Sequence, residues 1–435
     1  MKFMLIRSQV GRVAATVALI VSFVLVVAGG AHAQNLAIVN ARIVDGTGSV
    51  VPRGSVIVRD GKILSISTNA EALTAPIPPN ATVIDAGGKT VMPGLIDAHR
   101  HIVTGNAAEW LAQRAPQQMQ EFLEAGFTTV LAAIDPAQAI EAKRRIEAGQ
   151  MKGPRLYVGT FISVAGQVPQ AGGGPRGGDP ARTDPARGPL PTTPAPAIPP
   201  AQTIQAVENA AKAGYDYLKI VLNTTQNGPE VETLKLIVAE GKKRNKPTIV
   251  HAVSVRDTLA ALEAKPDLLV HTPHIGNLGD DPAAVKKIVD ARIPMTSTLA
   301  VFVPHFDAKG TALFRDQQPF PFNTLSSAGQ GPVNARLLWE AGIVYGYGTD
   351  TQWTPKETLA DELRALRLVF SPQDVVKIIT KNAGIATMHG AEIGTLEPGK
   401  LADIVIIDGD PTRDSDALLN VVTTIKGGQV VFEKK

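Results

Sequence analysis

A chain of 435 residues, 44% hydrophobic and 19% charged, has an ordinary globular balance and enough length for a large core and more than one domain. It contains no cysteine, which excludes disulfides, a thiolate nucleophile and a thiolate metal site. The formal charge of +3 belongs to the first residues: without Lys2, Arg7 and Arg12, the 43 Lys and Arg fall to the 40 of Asp and Glu. Nothing then points to nucleic acid or to an anionic membrane surface as a partner.

Residues 1–33 read as a secretory signal peptide. A basic start precedes an apolar run over 13–28, and Ala31-His32-Ala33 is a cleavage signal before Gln34. The run is short for a retained membrane anchor, the competing reading. The mature chain is therefore expected to be exported, periplasmic or extracellular, with no stable membrane association after cleavage. Residues 34–92 alternate apolar and polar positions between Asp-Gly and Gly-Gly turns, and 393–435 do the same. Together they predict a small composite β-sandwich domain built from both chain ends.

Residues 93–392 alternate short apolar strands with helix-length segments. The strands are expected at 94–98, 127–132, 155–161, 216–221, 247–251, 267–271, 293–298 and 343–349. Segments of 3.6 periodicity lie at 107–125, 136–148, 229–244 and 282–291. Eight such units predict an α/β fold, a (β/α)8 TIM barrel whose chemistry sits at the C-terminal strand ends. An open doubly wound sheet competes, but no Gly-rich phosphate turn follows the first strand. Residues 166–201 break the rhythm with ten prolines and seven glycines in 36 residues. They form a loop on the catalytic face, either a surface insertion or a lid over the pocket.

The polar residues at the strand ends carry the chemistry. PGLIDAHRHI ends the first strand on His99 and His101, which lie two apart and so on one side, with Arg100 facing away. Strand four, DYLKIV, places Lys219 inside an apolar run, where an unpaired amine is costly. Strands five, six and eight end on His251, His271 and Asp350. His274 competes with His271, which ends the apolar run LLV directly. His274, His305 and Trp353 are candidate substrate-binding residues, with surface-loop positions as the plainer alternative. Tyr345 and Tyr347 alternate on strand eight as packing residues.

These residues resemble the metal-dependent amidohydrolase superfamily, over essentially the whole mature chain. The closing segment GTLEPGKLADIVIID resembles the sheet domain of the same proteins. Within the superfamily the chain looks most like the branch of imidazolonepropionase-like proteins and Xaa-Pro dipeptidases. The resemblance implies two divalent metal ions, with zinc expected. His99, His101 and Asp350 would hold the more buried ion and His251 and His271 the more exposed one. Lys219, as a CO2-derived carbamate, would bridge them, and Asp350 would serve as general base and then acid. The expected activity is hydrolysis of an amide-type C–N bond in a small molecule: a dipeptide, an N-acyl amino acid or an aryl carboxamide. Open alternatives are a carbamate, urea or lactone on the same site, a one-metal imidazolonepropionase-like cyclic amide hydrolase, and a catalytically dead binding relative. A homo-oligomer is also left open.

Overall fold

The structure, a computed structural model, describes residues 35–67, 77–166, 194–303, 305–306, 312–313 and 325–435, with backbone alone over 305–306, 312–313 and 325–329. The expected leader, most of the Pro/Gly-rich insertion and the His305 side chain lie outside the described residues. Five strands open the described chain: β1 (Leu36–Val44), β2 (Val50–Arg59), β3 (Lys62–Ser67), β4 (Thr82–Asp85) and β5 (Thr90–Pro93). β6 (Leu95–Arg100), β7 (Phe127–Ala132), β8 (Arg155–Phe161), β9 (Tyr217–Val221), β10 (Thr248–His251), β11 (Leu268–Val270) and β12 (Met295–Thr296) follow. After a two-stranded hairpin of β13 (His305–Phe306) and β14 (Ala312–Leu313) come β15 (Tyr345–Gly346), β16 (Ile404–Ile407), β17 (Val421–Lys426) and β18 (Gln429–Glu433).

Both chain ends contribute to one mixed sheet, ordered β18-β17-β16-β5-β1-β2-β3, with β4 beside β1. β5 is the meeting point: it runs parallel to β1 and antiparallel to β16. The start of β3 also meets the C-terminal segment, where the Ile63 amide donates to the Lys400 carbonyl at 2.9 Å. These contacts gather Ile38, Ile43, Val56, Val58, Val91, Ile404, Ile406 and Ile425 into a core separate from that of the barrel. The alternation read in the sequence is the inward face of this sheet.

The second sheet is parallel and ordered β6-β7-β8-β9-β10-β11-β12-β15, the eight barrel strands in chain order. Its seam is spanned by backbone hydrogen bonds from Ala98 N–H to the Tyr347 carbonyl and from Thr349 N–H to the His99 carbonyl, both 2.9 Å. Every residue of β7 is buried, as expected for strands covered on both faces. Strands seven and eight are shorter than expected, because the chain leaves the ladder after Thr296 and Gly346. Beyond them, Ser297 Oγ donates to the Gly348 carbonyl and accepts from the Gly348 N–H, replacing part of the ladder.

The helix expected over 107–125 is interrupted: residues Trp110–Arg114 form a π turn before the α-helix Ala115–Glu124. That helix turns Phe122 toward the outside of β6, where the buried Arg100 guanidinium lies 4.9 Å from the Phe122 ring centroid. Arg100 thus faces away from the barrel interior, as the strand alternation requires. Tyr345 and Tyr347 are both fully buried. Among the described residues no helix is long and apolar enough to cross a membrane.

Candidate active site

The barrel strands end on the same side, and their last polar side chains converge. His99 and His101 project from the end of β6, and Asp350 from the segment after β15 hydrogen-bonded to it. His101 Nε2 is 3.0 Å from Asp350 Oδ1, and His99 Nε2 is 3.4 Å from the same oxygen. One ligand atom from each of the three lies within 4.8 Å of the others. His271 Nε2 approaches the second oxygen, Oδ2, at 3.8 Å. The His251 ring packs edge-on against His271, with centroids 4.3 Å apart.

Lys219 enters from β9. It is 2% exposed, and its Nζ lies 2.8 Å from His99 Nε2. An amine buried this deeply resists protonation, and burial pulls Lys219 down to about 7 against the opposing charge of Asp350. Burial likewise lowers His99 and His271 well below their ordinary value and brings His251 to about 4. These imidazoles are therefore neutral and present lone pairs. Burial would raise Asp350, but the surrounding His99, His101 and His271 outweigh it and hold the carboxyl well below the usual range.

Buried contacts orient these rings. His101 Nδ1 lies 3.2 Å from the Ile134 carbonyl, which can only accept, so Nδ1 carries a proton, while Nε2 faces Asp350 Oδ1 at 3.0 Å. Asp135, next to Ile134, accepts from the amides of Ile102 and Val103 and so anchors the loop that follows His101. His271 Nδ1 lies 2.8 Å from Thr298 Oγ1. His271 Nε2 is buried without a hydrogen-bond partner among the described residues. An unpartnered nitrogen aimed at a carboxylate and two imidazoles is costly unless something else binds there. The donor set is of nitrogen and carboxylate oxygen, which fits a divalent ion such as zinc.

The remaining sequence candidates divide. His274 is buried beside Phe302, ring centroids 3.7 Å apart, and neither of its nitrogens has a hydrogen-bond partner among the described residues. A Cβ on Gly331 would overlap its ring, so the helix Leu325–Glu340 packs directly on it. Trp353 is 44% exposed, and its carbonyl accepts from Arg100 Nη2. Sequence reasoning passed over Thr298, Glu362 and Asp135. Each is a common residue near a strand end or on a helix, with no local signal that sets it apart.

Comparison with known proteins agrees with this geometry. Residues 90–431 match the profile of the Amidohydrolase family. Imidazolonepropionase of Shouchella clausii (strain KSM-K16) is 25% identical over 432 residues, covering 88% of this chain and 86% of that protein. A Xaa-Pro dipeptidase structure with bound methionine superposes with a TM-score of 0.72 at 20% identity, over 92% of this chain and all of that one. Molinate hydrolase superposes with a TM-score of 0.69 at 21% identity, over 92% and 95% of the two chains.

Proposed function

The chain belongs to the amidohydrolase family, a family of metal-dependent hydrolases of carbon–nitrogen bonds, and we propose that it cleaves the amide-type bond of a small molecule. The substrate class we favour is a dipeptide, an N-acyl amino acid or an aryl carboxamide, met outside the cytoplasm after the leader is removed. The observation that carries the reading is the convergence of His99, His101, Lys219, His271 and Asp350 at one end of the barrel. In this reading His99, His101 and Asp350 would hold one divalent ion, and His251 and His271 a second.

Lys219, as a carbamate, would help to hold both ions. Its burial favours the neutral amine, and only that form has the lone pair to attack CO2. The N–C bond forms, one C=O π pair becomes the carboxylate, and one N–H proton leaves to solvent. When bound, divalent ions lower the pKa of water and polarise the scissile carbonyl. Asp350, held anionic by its neighbours, would take the proton of the attacking water and return it to the leaving nitrogen. His101, fixed by Ile134, keeps Asp350 in place through its 3.0 Å contact.

A second reading has its own support. Among the described residues, the ligand atoms that lie together are those of His99, His101 and Asp350, and imidazolonepropionase is among the relatives. In that reading one ion suffices and Lys219 stays an amine. Metal content per chain, measured on protein purified without chelator, separates the two. About two divalent ions, with activity lost to chelator and restored by Zn²⁺, Co²⁺ or Mn²⁺, support the binuclear reading; about one supports the other. A parallel screen over Xaa-Pro dipeptides, N-acyl amino acids and aryl amides, with ureas, carbamates and lactones as competitors, tests the substrate class. Turnover of the competitors alone would overturn it.

A further inference from the structure

His271 owes its direction to residues outside the donor set. Its φ of 85° puts it in the left-handed region, where a residue with a Cβ is strained, so neighbouring contacts must hold it. Its amide donates to Thr296 Oγ1 at 3.2 Å, and its ring Nδ1 lies 2.8 Å from Thr298 Oγ1. Thr298 is itself left-handed, with φ 48°. Its N–H donates to the Gly348 carbonyl at 2.9 Å. The next two amides, Leu299 and Ala300, each donate at 2.8 Å to the two carboxylate oxygens of Glu362. Glu362 is fully buried on the helix Pro355–Leu366, which follows the eighth barrel strand. A buried carboxylate is a poor packing residue, and an apolar side chain of similar volume would serve the core as well or better. Here it binds two successive amides of the turn that carries Thr298.

Resting on the reading of His271 as a metal ligand, we infer that Thr298 is a positioning residue that accepts the His271 Nδ1 proton and so turns the free Nε2 lone pair into the cluster, with Glu362 holding Thr298 in place. The other tautomer would present an N–H to the cation and repel it. The chain of contacts runs from the helix after strand eight, through the turn after strand seven, to the ligand at the end of strand six. It therefore couples three barrel loops to one donor atom.

The test is Zn²⁺ affinity of the chelator-stripped full-length chain, by competition with a chromophoric chelator, together with its metal-free melting midpoint. Thr298→Val keeps the shape and removes the acceptor. It is expected to weaken Zn²⁺ binding by about 10–100-fold, the usual effect of losing a partner behind a ligand. Thr298→Ser should restore it, and the metal-free midpoint, lowered modestly in Thr298→Val by the unpaired Nδ1–H, should recover with it. Thr298→Ala removes the same acceptor should the valine variant not fold. Glu362→Gln should weaken binding too, and the double variant should be no weaker than Thr298→Val alone. Additive losses would overturn the part given to Glu362. His271→Ala separates the two levels of the argument. If it binds Zn²⁺ as the parent does, the reading of His271 as a ligand fails. If it binds weakly while Thr298→Val binds normally, or if Thr298→Ser stays as weak as Thr298→Val, the positioning role is overturned.

Discussion

Asp350 and His99 meet twice. The Asp350 amide donates to the His99 carbonyl at 2.8 Å, and its Oδ1 lies 3.4 Å from His99 Nε2. One pair thus joins the first and eighth barrel strands and forms the centre of the donor cluster. Asp350 takes a left-handed φ of 50° to do both, a strained conformation held by these contacts. Barrel closure and site assembly are in this sense the same event.

Asp350→Asn keeps the shape and removes the proposed base. Purified variant with metal still bound should lose about 10²–10⁴-fold in kcat on whichever substrate the screen identifies. Metal analysis alongside the kinetics makes the result interpretable, and near-parent activity would remove Asp350 from the proton path.

Gly348 faces His99 across the seam. A Cβ there would lie 2.9 Å from His99 Cβ, closer than real contacts allow, and 3.1 Å from Thr296 Cβ, tighter than most. Gly348→Ala is expected to cost about 1–3 kcal/mol by overpacking and to displace His99. Denaturant melts and Zn²⁺ content, measured together, should both fall. A stable variant with normal metal content would show that the seam yields elsewhere.

Arg100 is the buried counter-charge of Asp97. Its Nη1 lies 3.6 Å from Asp97 Oδ2 and 3.2 Å from Thr349 Oγ1. Burial drives Asp97 up to about 6 even with this cation beside it. Arg100→Met should destabilise the protein by roughly 3–5 kcal/mol, because the carboxylate is left buried and uncompensated. Urea unfolding reads this directly; a loss under 1 kcal/mol would mean that Asp97 is already protonated or hydrated.

Glu362 should make stability depend on pH. Burial lifts its carboxyl from 4.5 to about 7, above the unfolded value. Between those values the folded chain holds a proton that the unfolded chain has released, so this group makes stability fall as pH rises from about 4.5 to 7. Metal-free Glu362→Gln should show a shallower fall over that window than metal-free parent protein. Asp97 contributes the same sign in both, so the difference between the two curves reports Glu362 together with its lesser coupling to Asp97. Parallel curves would mean that Glu362 titrates at its ordinary value.

Much of this protein could be read from residue order alone. Period-two alternation located the strands at both chain ends, and eight apolar runs separated by amphipathic segments located the barrel, because burial on one or two faces writes itself into local pattern. His99, His101, Lys219, His251, His271 and Asp350 stood out because imidazoles, a carboxylate and an amine at the ends of apolar strands oppose the transfer free energy of their surroundings. The tertiary structure decided what those residues meet. That His271 turns toward Asp350 while His274 packs against Phe302 depends on a left-handed backbone at His271 and on Thr298 and Glu362, which are 27 and 91 positions away along the chain. The π turn after His101, the shortened strands seven and eight and the burial of Arg100 beneath Phe122 were likewise set by closure. Local pattern records how much water a residue sees, whereas hydrogen-bond partners are chosen only when distant segments are brought within 3 Å of each other, about the reach of one such bond.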